Sequence, residues 1–326
     1  MTPPDRLRAL LAEPGFLIMP AVWDGLSAKL TWQAGYKTAF LSGSCVAASR
    51  LGGPDLDLLT ATEMQDSLNM TRAAAPDLLV LADGDHGYGN AMNTQRTVRA
   101  YGRLGAAAVL IEDKVTPRAL TADGKPTLPR DEVRMKIRAA VEAAKDSGIL
   151  VMARTDCRPT LGIDEALARI EMYVEEGADI LFLDSPADED EILRAVEAAA
   201  GRPSFAVLSP GAKRETPTQQ RAEELGLKIG TYPTGMISPA AAGIVAGLLS
   251  ALASREVGHG LIESGNLVRR HFACRCGRRG CSGAIGGHCG GVSRRCRIGG
   301  GSRSGWSCRT GRSSRRLLRH GGRGQG

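Results

Sequence analysis

Residues 77–113 read DLLVLADGDHGYGNAMNTQRTVRAYGRLGAAAVLIED and contain two short apolar runs, 78–81 and 106–111. Between the runs lie a polar, glycine-rich loop and a stretch with helical spacing that ends at Gly105. Two apolar strands that are joined through a helix pair in parallel, because a tight turn can connect only antiparallel neighbours. The segment therefore predicts one strand–helix–strand unit of a parallel sheet.

The same rhythm occurs eight times between residues 16 and 258. The predicted strands read FLIMPAV, TAFLSG, DLLVLADG, AAVLIED, ILVMARTD, DILFLD, SFAVLS and LKIGTYP. Eight such units in about 240 residues favour a closed (β/α)8 barrel of the TIM type over an open doubly wound sheet. No glycine-rich phosphate-binding motif opens any of the helical stretches, so the sequence gives no support for nucleotide binding.

The charge of the chain is divided unevenly. Residues 259–326 contain 15 Arg and one Glu, whereas residues 1–258 contain 27 Lys and Arg against 34 Asp and Glu. We therefore predict a barrel domain over 1–258 and an unstructured Arg/Gly/Cys-rich tail over 259–326. Three interpretations of the tail are open: a nucleic-acid-binding arm, a zinc site formed through the stretch CRCGRRGC at 274–281, or a segment translated in the wrong reading frame.

No uninterrupted apolar run is long enough to cross a membrane, and the charged N-terminus does not resemble a secretory signal. These features predict a cytoplasmic enzyme without a membrane partner.

In a barrel of this type the functional groups lie where the strands end. The predicted strand ends are polar and comprise Asp24, Ser42–Ser44, Asp83 with Asp85, Glu112, Arg154, Asp184, Ser209 and Tyr232. Asp83, Asp85 and Glu112 end neighbouring strands, and three close carboxylates predict a divalent cation such as Mg2+, with Mn2+ as a substitute. Helix capping or loop salt bridges are the alternative for these acids.

Three further groups have two interpretations each. Arg154 suits bidentate capture of a substrate carboxylate, or it forms a structural pair with Asp156 or Asp184. His86 is a proton carrier near neutral pH or a solvated loop residue. The segment 114–132 is long for a loop of a compact domain and is either a lid or a surface excursion.

The motifs SGS, GGPDLDLLT, ADGDHGYGNAMNTQRTV, LIEDKVTP, MARTD and TYP occur in the order of the isocitrate lyase/phosphoenolpyruvate mutase superfamily, which residues 5–258 resemble. The resemblance implies a modified TIM barrel that binds Mg2+ and a 2-oxo acid, and homo-oligomers. It implies that Asp55 joins Asp83, Asp85 and Glu112 at the metal. It also implies a carboxylate cradle at Ser42, Gly43 and Ser44, with Arg154 as the substrate-binding arginine. We add Asp184 and Ser209, from their strand ends, as substrate-binding candidates and Asp55, Arg154 and His86 as catalytic candidates.

Departures from the family pattern reduce the number of reactions that the resemblance allows. The resemblance implies a lid cysteine in isocitrate and methylisocitrate lyases, and Leu120 stands at that position. Thr155 and Asp156 stand where phosphonopyruvate-type members have Val-Glu, and the His and Tyr of oxaloacetate decarboxylases are absent near Thr234 and Pro210.

The preferred hypothesis is a Mg2+-dependent carbon–carbon lyase that decarboxylates oxaloacetate to pyruvate and CO2. The alternatives are P–C bond chemistry on phosphonopyruvate or phosphoenolpyruvate, and a methylisocitrate- or dimethylmalate-type lyase. A non-enzyme alternative is a degenerate barrel with a nucleic-acid-binding tail. A small-molecule carboxylate is nevertheless the expected partner, and nucleic acid is not expected. In every case a weakened oligomer is expected, because the aberrant tail replaces the helical segments that the resemblance implies there.

Overall fold

The structure, a computed structural model, describes residues 1–117, 125–209 and 216–253. Nine parallel strands form one curled sheet in these residues. They are β1 (Leu17–Ile18), β2 (Ala21–Val22), β3 (Thr38–Leu41), β4 (Leu79–Asp83), β5 (Ala108–Glu112), β6 (Leu150–Thr155), β7 (Ile180–Leu183), β8 (Ser204–Val207) and β9 (Ile229–Thr231). All eight predicted strands are present, and the TIM-type fold is confirmed.

The first predicted strand is split into β1 and β2, and this split closes the barrel. β1 pairs with β9, whereas β2 pairs with β3, and only Met19 and Pro20 separate the two segments. Pro20 has no N–H to donate, but its carbonyl accepts from Phe40 N at 3.0 Å. Met19 N donates to Gly230 O at 2.8 Å. The chain therefore changes partner at the proline and joins the first and last strands of the sheet.

Helices cover the outer side of the strands. Their bounds are α1 (Pro3–Ala12), α2 (Gly25–Gln33), α3 (Gly43–Leu51), α4 (Ala61–Ala74), α5 (Ala91–Arg103), α6 (Arg130–Ala144), α7 (Arg158–Leu161), α8 (Ile163–Glu175), α9 (Glu189–Ala198), α10 (Gln219–Glu224) and α11 (Ile237–Ala253). Several begin where a strand-end side chain caps the first turn: Asp24 accepts from Ser27 N at 2.7 Å, and Ser42 accepts from Cys45 N at 3.4 Å.

Side chains alternate between two cores, because successive residues of a strand face opposite sides of the sheet. One face of each strand fills the barrel interior with Met19, Phe40, Leu81, Leu110, Met152, Phe182, Phe205 and Ile229. The other face packs against the helices, as Val80, Val109, Val151 and Leu181 do. Burial of these apolar side chains stabilises the barrel and holds the strand ends in place.

α11 is the predicted eighth helix, and its helical structure is confirmed. It is nevertheless exposed: Ile244, Val245, Leu248, Leu249 and Leu252 have 54–79% of their surface accessible. Exposed contiguous apolar surface of this kind is unusual in a monomer.

In the part of the chain that the structure describes, no helix combines the length and the hydropathy needed to cross a membrane. The predicted tail, 259–326, and the domain boundary at 258 lie outside the described residues.

Candidate active site

The carboxyl ends of the strands surround a pocket of about 150 Å3. Acids and cations form most of its polar lining, and four apolar side chains from β3, β7 and β8 form its floor. The lining includes Phe40, Ser42, Ser44, Asp55, Asp83, Asp85, Glu112, Lys114, Lys125, Arg154, Phe182, Phe205, Val207, Thr231 and Pro233. Most of the predicted site residues therefore meet in one small cavity.

Asp83 and Asp85 are held by backbone geometry at the end of β4. Asp83 accepts from Gly43 N and from Asp85 N, both at 3.1 Å, and Asp85 accepts from Tyr88 OH at 2.9 Å. Gly84, between them, passes so close to β5 that a Cβ atom would lie 2.6 Å from Leu110 O. The glycine therefore permits the two carboxylates to stand at the strand edge.

Lys114 supplies a positive charge beside these acids. Its Nζ lies 2.6 Å from Asp57 Oδ1 and 3.7 Å from Asp85 Oδ1, and it also forms an ion pair with Glu112 Oε1. Sequence reasoning missed both Lys114 and Asp57. The alternation of side chains after Glu112 was the available signal for Lys114, whereas Asp57 lies in a loop with no such signal.

Burial disfavours the ionised form of the acids in this cluster. Desolvation raises the pKa of Asp83, and desolvation together with the Asp83 charge raises that of Asp85 well above its usual value. Burial raises the pKa of Glu112 to about 7, although Arg154 and Lys114 oppose the shift. A bound cation would favour the ionised form of these acids, because its positive charge offsets both the repulsion between the carboxylates and the cost of burying them.

The donor chemistry of the acids fits a hard divalent cation, which prefers carboxylate oxygens. Across residues 1–117, 125–209 and 216–253, however, no three acid, histidine or cysteine side chains are arranged as a preformed metal cage. Lys114 stands between Asp85 and Glu112 instead. A metal with few direct protein ligands, completed by water and substrate oxygens, is compatible with this arrangement.

Arg154, at the end of β6, is engaged by acids of the chain itself. Its Nε and Nη2 donate to Asp156 at 2.8 and 2.7 Å, and Nη2 lies 3.2 Å from Asp184 Oδ1. Lys125, which sequence reasoning also missed, lies 2.5 Å from Asp156 and 3.3 Å from Asp184. Burial opposes ionisation of Asp156, but the charges of Arg154 and Lys125 lower its pKa. Two cations and two acids thus form a balanced group on one wall.

Lys125 belongs to the predicted loop 114–132, which in the structure ends at Pro129 because α6 begins at Arg130. The two arms of this loop run antiparallel beside the strand edge. Val115 N donates to Pro126 O at 2.9 Å, and Leu128 N donates to Asp113 O at 2.8 Å. The returning arm of the loop therefore reaches the pocket. Residues 118–124 lie outside the described part of the chain, and a lid remains a prediction.

Ser42, Gly43 and Ser44 lie at the N-terminus of α3. The hydroxyls of Ser42 and Ser44 are 3.0 Å apart and line the pocket, as Asp55 does. The Gly43 N–H is directed at Asp83, and a Cβ atom at Gly43 would lie 3.0 Å from Asp83 Oδ2. The serine–glycine–serine turn thus supports the acid cluster as well as lining the cavity.

Besides Gly43, three predicted site residues lie away from the lining of this pocket. Asp184 contacts it through Arg154 and Lys125, whereas Ser209 borders, with Asp184, a separate largely apolar cavity of about 610 Å3 between β7, β8 and α9. His86 is partly buried beside Tyr88. Burial and the nearby Lys136 charge lower the pKa of His86 to about 4, so its imidazole is neutral at pH 7.

Asp113 supports the site from below. Because side chains alternate along the chain, Asp113 faces away from Glu112 and accepts from Thr155 Oγ1 at 2.7 Å, Asp156 N at 2.8 Å, Arg169 Nη1 at 2.8 Å and Tyr173 OH at 3.2 Å. It therefore fixes the backbone of Asp156, which in turn holds Arg154.

Comparison with known proteins places this arrangement among characterised enzymes. The model of the phosphoenolpyruvate phosphomutase family matches residues 7–250. The chain is 36% identical to 2,3-dimethylmalate lyase of Eubacterium barkeri, over 79% of this chain and 89% of that protein. It is 39% identical to an oxaloacetate decarboxylase of Paraburkholderia xenovorans, over 57% of this chain and 62% of the relative.

Solved structures agree with these matches. Oxaloacetate acetylhydrolase in complex with 3,3-difluorooxalacetate superposes with a TM-score of 0.74 at 31% identity, over 79% of this chain and 89% of that one. A phosphonopyruvate hydrolase complex with oxalate and Mg2+ superposes with a TM-score of 0.70 at 28% identity, over 85% and 99%.

Proposed function

This chain belongs to the phosphoenolpyruvate phosphomutase family, within the isocitrate lyase/phosphoenolpyruvate mutase superfamily of carbon–carbon lyases, and from that premise we propose that it is a Mg2+-dependent lyase for a small 2-oxo acid. The specific reaction that we propose is decarboxylation of oxaloacetate to pyruvate and CO2. The observation that carries the proposal is the cluster of buried acids Asp83, Asp85 and Glu112 beside the cations Lys125 and Arg154 in one small pocket.

The acids are proposed to hold the metal together with Asp55, partly through water. A bound Mg2+ supplies stabilisation of the negative charge that develops on the C2 oxygen when the substrate becomes an enolate. The raised pKa values of Asp83, Asp85 and Glu112 support this role, because their charges are uncompensated enough to favour a divalent cation.

The substrate carboxylates are proposed to bind on the two other walls. The hydroxyls of Ser42 and Ser44 offer donors to one carboxylate, and the positive pair Lys125 and Arg154 offers charge to the other. Asp156 already takes two hydrogen bonds from Arg154, so the substrate competes with it or uses Lys125.

The proposed decarboxylation of oxaloacetate needs no protein nucleophile. The C3–C4 bond of oxaloacetate breaks, CO2 departs, and the electron pair forms the C2–C3 double bond of pyruvate enolate. One proton then adds to C3, and water is the proposed donor. His86 is neutral at pH 7 and lies off the pocket lining, so it is not proposed as the donor of this proton.

A second candidate is cleavage of a 2-hydroxy diacid of the dimethylmalate type. It is favoured by the match to 2,3-dimethylmalate lyase, which covers 89% of that relative, against 62% for the oxaloacetate decarboxylase. This reaction requires a base for the substrate hydroxyl and an acid for the departing carbanion. Decarboxylation requires no base, and water suffices as the proton donor to C3 of the enolate, which is why it remains the preferred proposal.

The test is a substrate panel followed by NMR with Mg2+, containing oxaloacetate, 2,3-dimethylmalate, methylisocitrate and phosphonopyruvate. We expect enzyme-dependent pyruvate from oxaloacetate above the rate with Mg2+ alone. Asp85→Asn should abolish it, whereas Asp190→Asn, on the exposed start of α9, should retain it. Turnover of 2,3-dimethylmalate but not oxaloacetate would select the second candidate, and full activity in excess EDTA would exclude the metal.

We also propose that the chain forms a homo-oligomer. Support comes from the exposed apolar residues of α11, which a second copy would remove from water. Light scattering after gel filtration should give a mass above that of one chain, and Leu248→Glu with Leu252→Glu should lower it. A monomer at all concentrations would contradict this proposal.

A further inference from the structure

Lys114 and the proposed metal draw on the same oxygens. The Lys114 side chain is only 2% exposed, and its ammonium contacts Glu112 and lies 3.7 Å from Asp85. Both acids belong to the proposed metal site. Two cations cannot share these carboxylates without repulsion, since like charges in a buried pocket are weakly screened.

Asp57 offers the ammonium a third carboxylate that is outside the proposed metal set. Its Oδ1 lies 2.6 Å from Lys114 Nζ, and its side chain is 1% exposed. Asp57 also has a φ of 61°, a left-handed conformation that is costly for residues other than glycine and tolerated best by Asn and Asp. A buried charge on a strained backbone persists only where the surrounding structure compensates it, and Lys114 provides that compensation.

We propose that Asp57 is a positioning residue that retains the Lys114 ammonium while a divalent cation takes over Asp85 and Glu112. This inference rests on the proposed metal dependence. In the metal-free protein Lys114 offsets part of the charge of the acid cluster, and on metal binding the Asp57–Lys114 pair would remain as a neutral unit beside the site. In this proposal the divalent metal replaces the Lys114 ammonium as the cation that contacts Asp85 and Glu112.

The proposal predicts opposite effects for its two members. Without the Asp57 charge, Lys114 is held by Asp85 and Glu112 alone and competes more strongly with the metal. Without the Lys114 charge, the ammonium no longer competes for Asp85 and Glu112, and the metal binds more tightly, although Arg154 Nε still lies 3.3 Å from Glu112 Oε2. Moreover, because Asp57 acts through Lys114, its removal should matter little once Lys114 is neutral.

The experiment measures Mn2+ binding to the full chain by electron paramagnetic resonance of free Mn2+, in the absence of substrate. We expect Asp57→Asn to weaken binding about tenfold and Lys114→Met to strengthen it about tenfold, as expected for one charge interaction in a partly screened pocket. In the Lys114→Met background, Asp57→Asn should change the affinity less than about threefold. Lys125→Met, which removes a pocket cation that contacts Asp156 and Asp184 instead, is the matched control and should have a small effect.

The possible results distinguish a failure of the Asp57 inference from a failure of the proposed metal dependence. An unchanged Mn2+ affinity in Asp57→Asn overturns the inference, whether or not the Lys114 variants fold. An equal loss in both backgrounds also overturns it, because Asp57 would then attract the metal directly. Wild-type protein that binds no Mn2+ overturns the metal proposal and this inference together. Thermal melting of each variant identifies a change that reflects unfolding, and Lys114→Gln replaces Lys114→Met if the latter does not fold.

Discussion

The ion pair between Asp113 and Arg169 should be among the costly ones to break in this protein. Arg169 Nη1 lies 2.8 Å from Asp113, and the two side chains are 2% and 0% exposed. The pair Arg194–Asp164 has the same 2.8 Å separation, but its side chains are 41% and 90% exposed. The two pairs therefore differ in burial while their geometry is matched.

The expected magnitude follows from what each substitution leaves behind. Asp113→Ala removes four hydrogen bonds and leaves the buried Arg169 charge with Glu165, 2.9 Å away, as its remaining acidic partner. This loss costs about 3–5 kcal/mol of unfolding free energy. Arg169→Met should cost somewhat less, because Thr155 and Tyr173 continue to donate to Asp113. In the double variant no charge remains unpaired, so the two effects should overlap by about 2 kcal/mol.

The assay is urea unfolding followed by far-UV circular dichroism, with a complete double-mutant cycle for both pairs. For Arg194→Met and Asp164→Ala we expect single effects and a coupling of roughly 0–1 kcal/mol, because exposed pairs are screened by water. A coupling in the buried pair no larger than in the exposed pair would refute the reasoning from burial.

Three further predictions concern the site. Arg154→Lys keeps the charge but loses the forked contacts to Asp156, and kcat/KM should fall roughly ten- to a thousandfold, or ~1.4–4 kcal/mol; altered stability with unchanged kinetics would instead indicate a structural pair. His86 has its pKa lowered from 6.5 to about 4, so the unfolded chain binds a proton first on acidification. Stability should fall between pH 6.5 and 4 by roughly 1–3 kcal/mol from this group, and His86→Gln should reduce that slope, whereas an unchanged slope would contradict the burial effect. Because Leu120 stands where the family resemblance implies a lid cysteine, isocitrate and methylisocitrate should not be cleaved at useful rates, and efficient release of glyoxylate or pyruvate from them would be evidence against the lid interpretation.

The fold and much of the pocket could be predicted because both depend on local periodicity. Apolar runs locate the strands, and polar residues that follow them must meet at one edge of a parallel barrel. The same reasoning predicts that Asp83, Asp85, Glu112 and Arg154 lie close together, as they do in the pocket. The division of the first strand at Pro20 had a visible signal, since proline cannot donate in a sheet.

The features that the sequence does not predict depend on contacts between distant segments of the chain. Asp57 follows α3 and Lys125 returns from the long loop, so neither follows a strand end, and only the folded chain brings them to the pocket. The engagement of Arg154 by Asp156 was one of two interpretations that spacing alone could not separate. The sequence does not predict the exposure of α11 either, because the apolar composition of this helix is typical of a packed helix.

The change of partner at Pro20 also has a consequence for synthesis. Met19 and Thr231, which join the first and last strands, are 212 residues apart. At a translation rate of about 5–20 residues per second, the first strand leaves the ribosome roughly 10–40 s before its second neighbour exists. During that interval the growing sheet has two open edges, and open edges are the places where strands of other chains add. The time of greatest risk of misassembly for this enzyme therefore comes before its last strand is made, and slower translation of the second half of the gene would lengthen it.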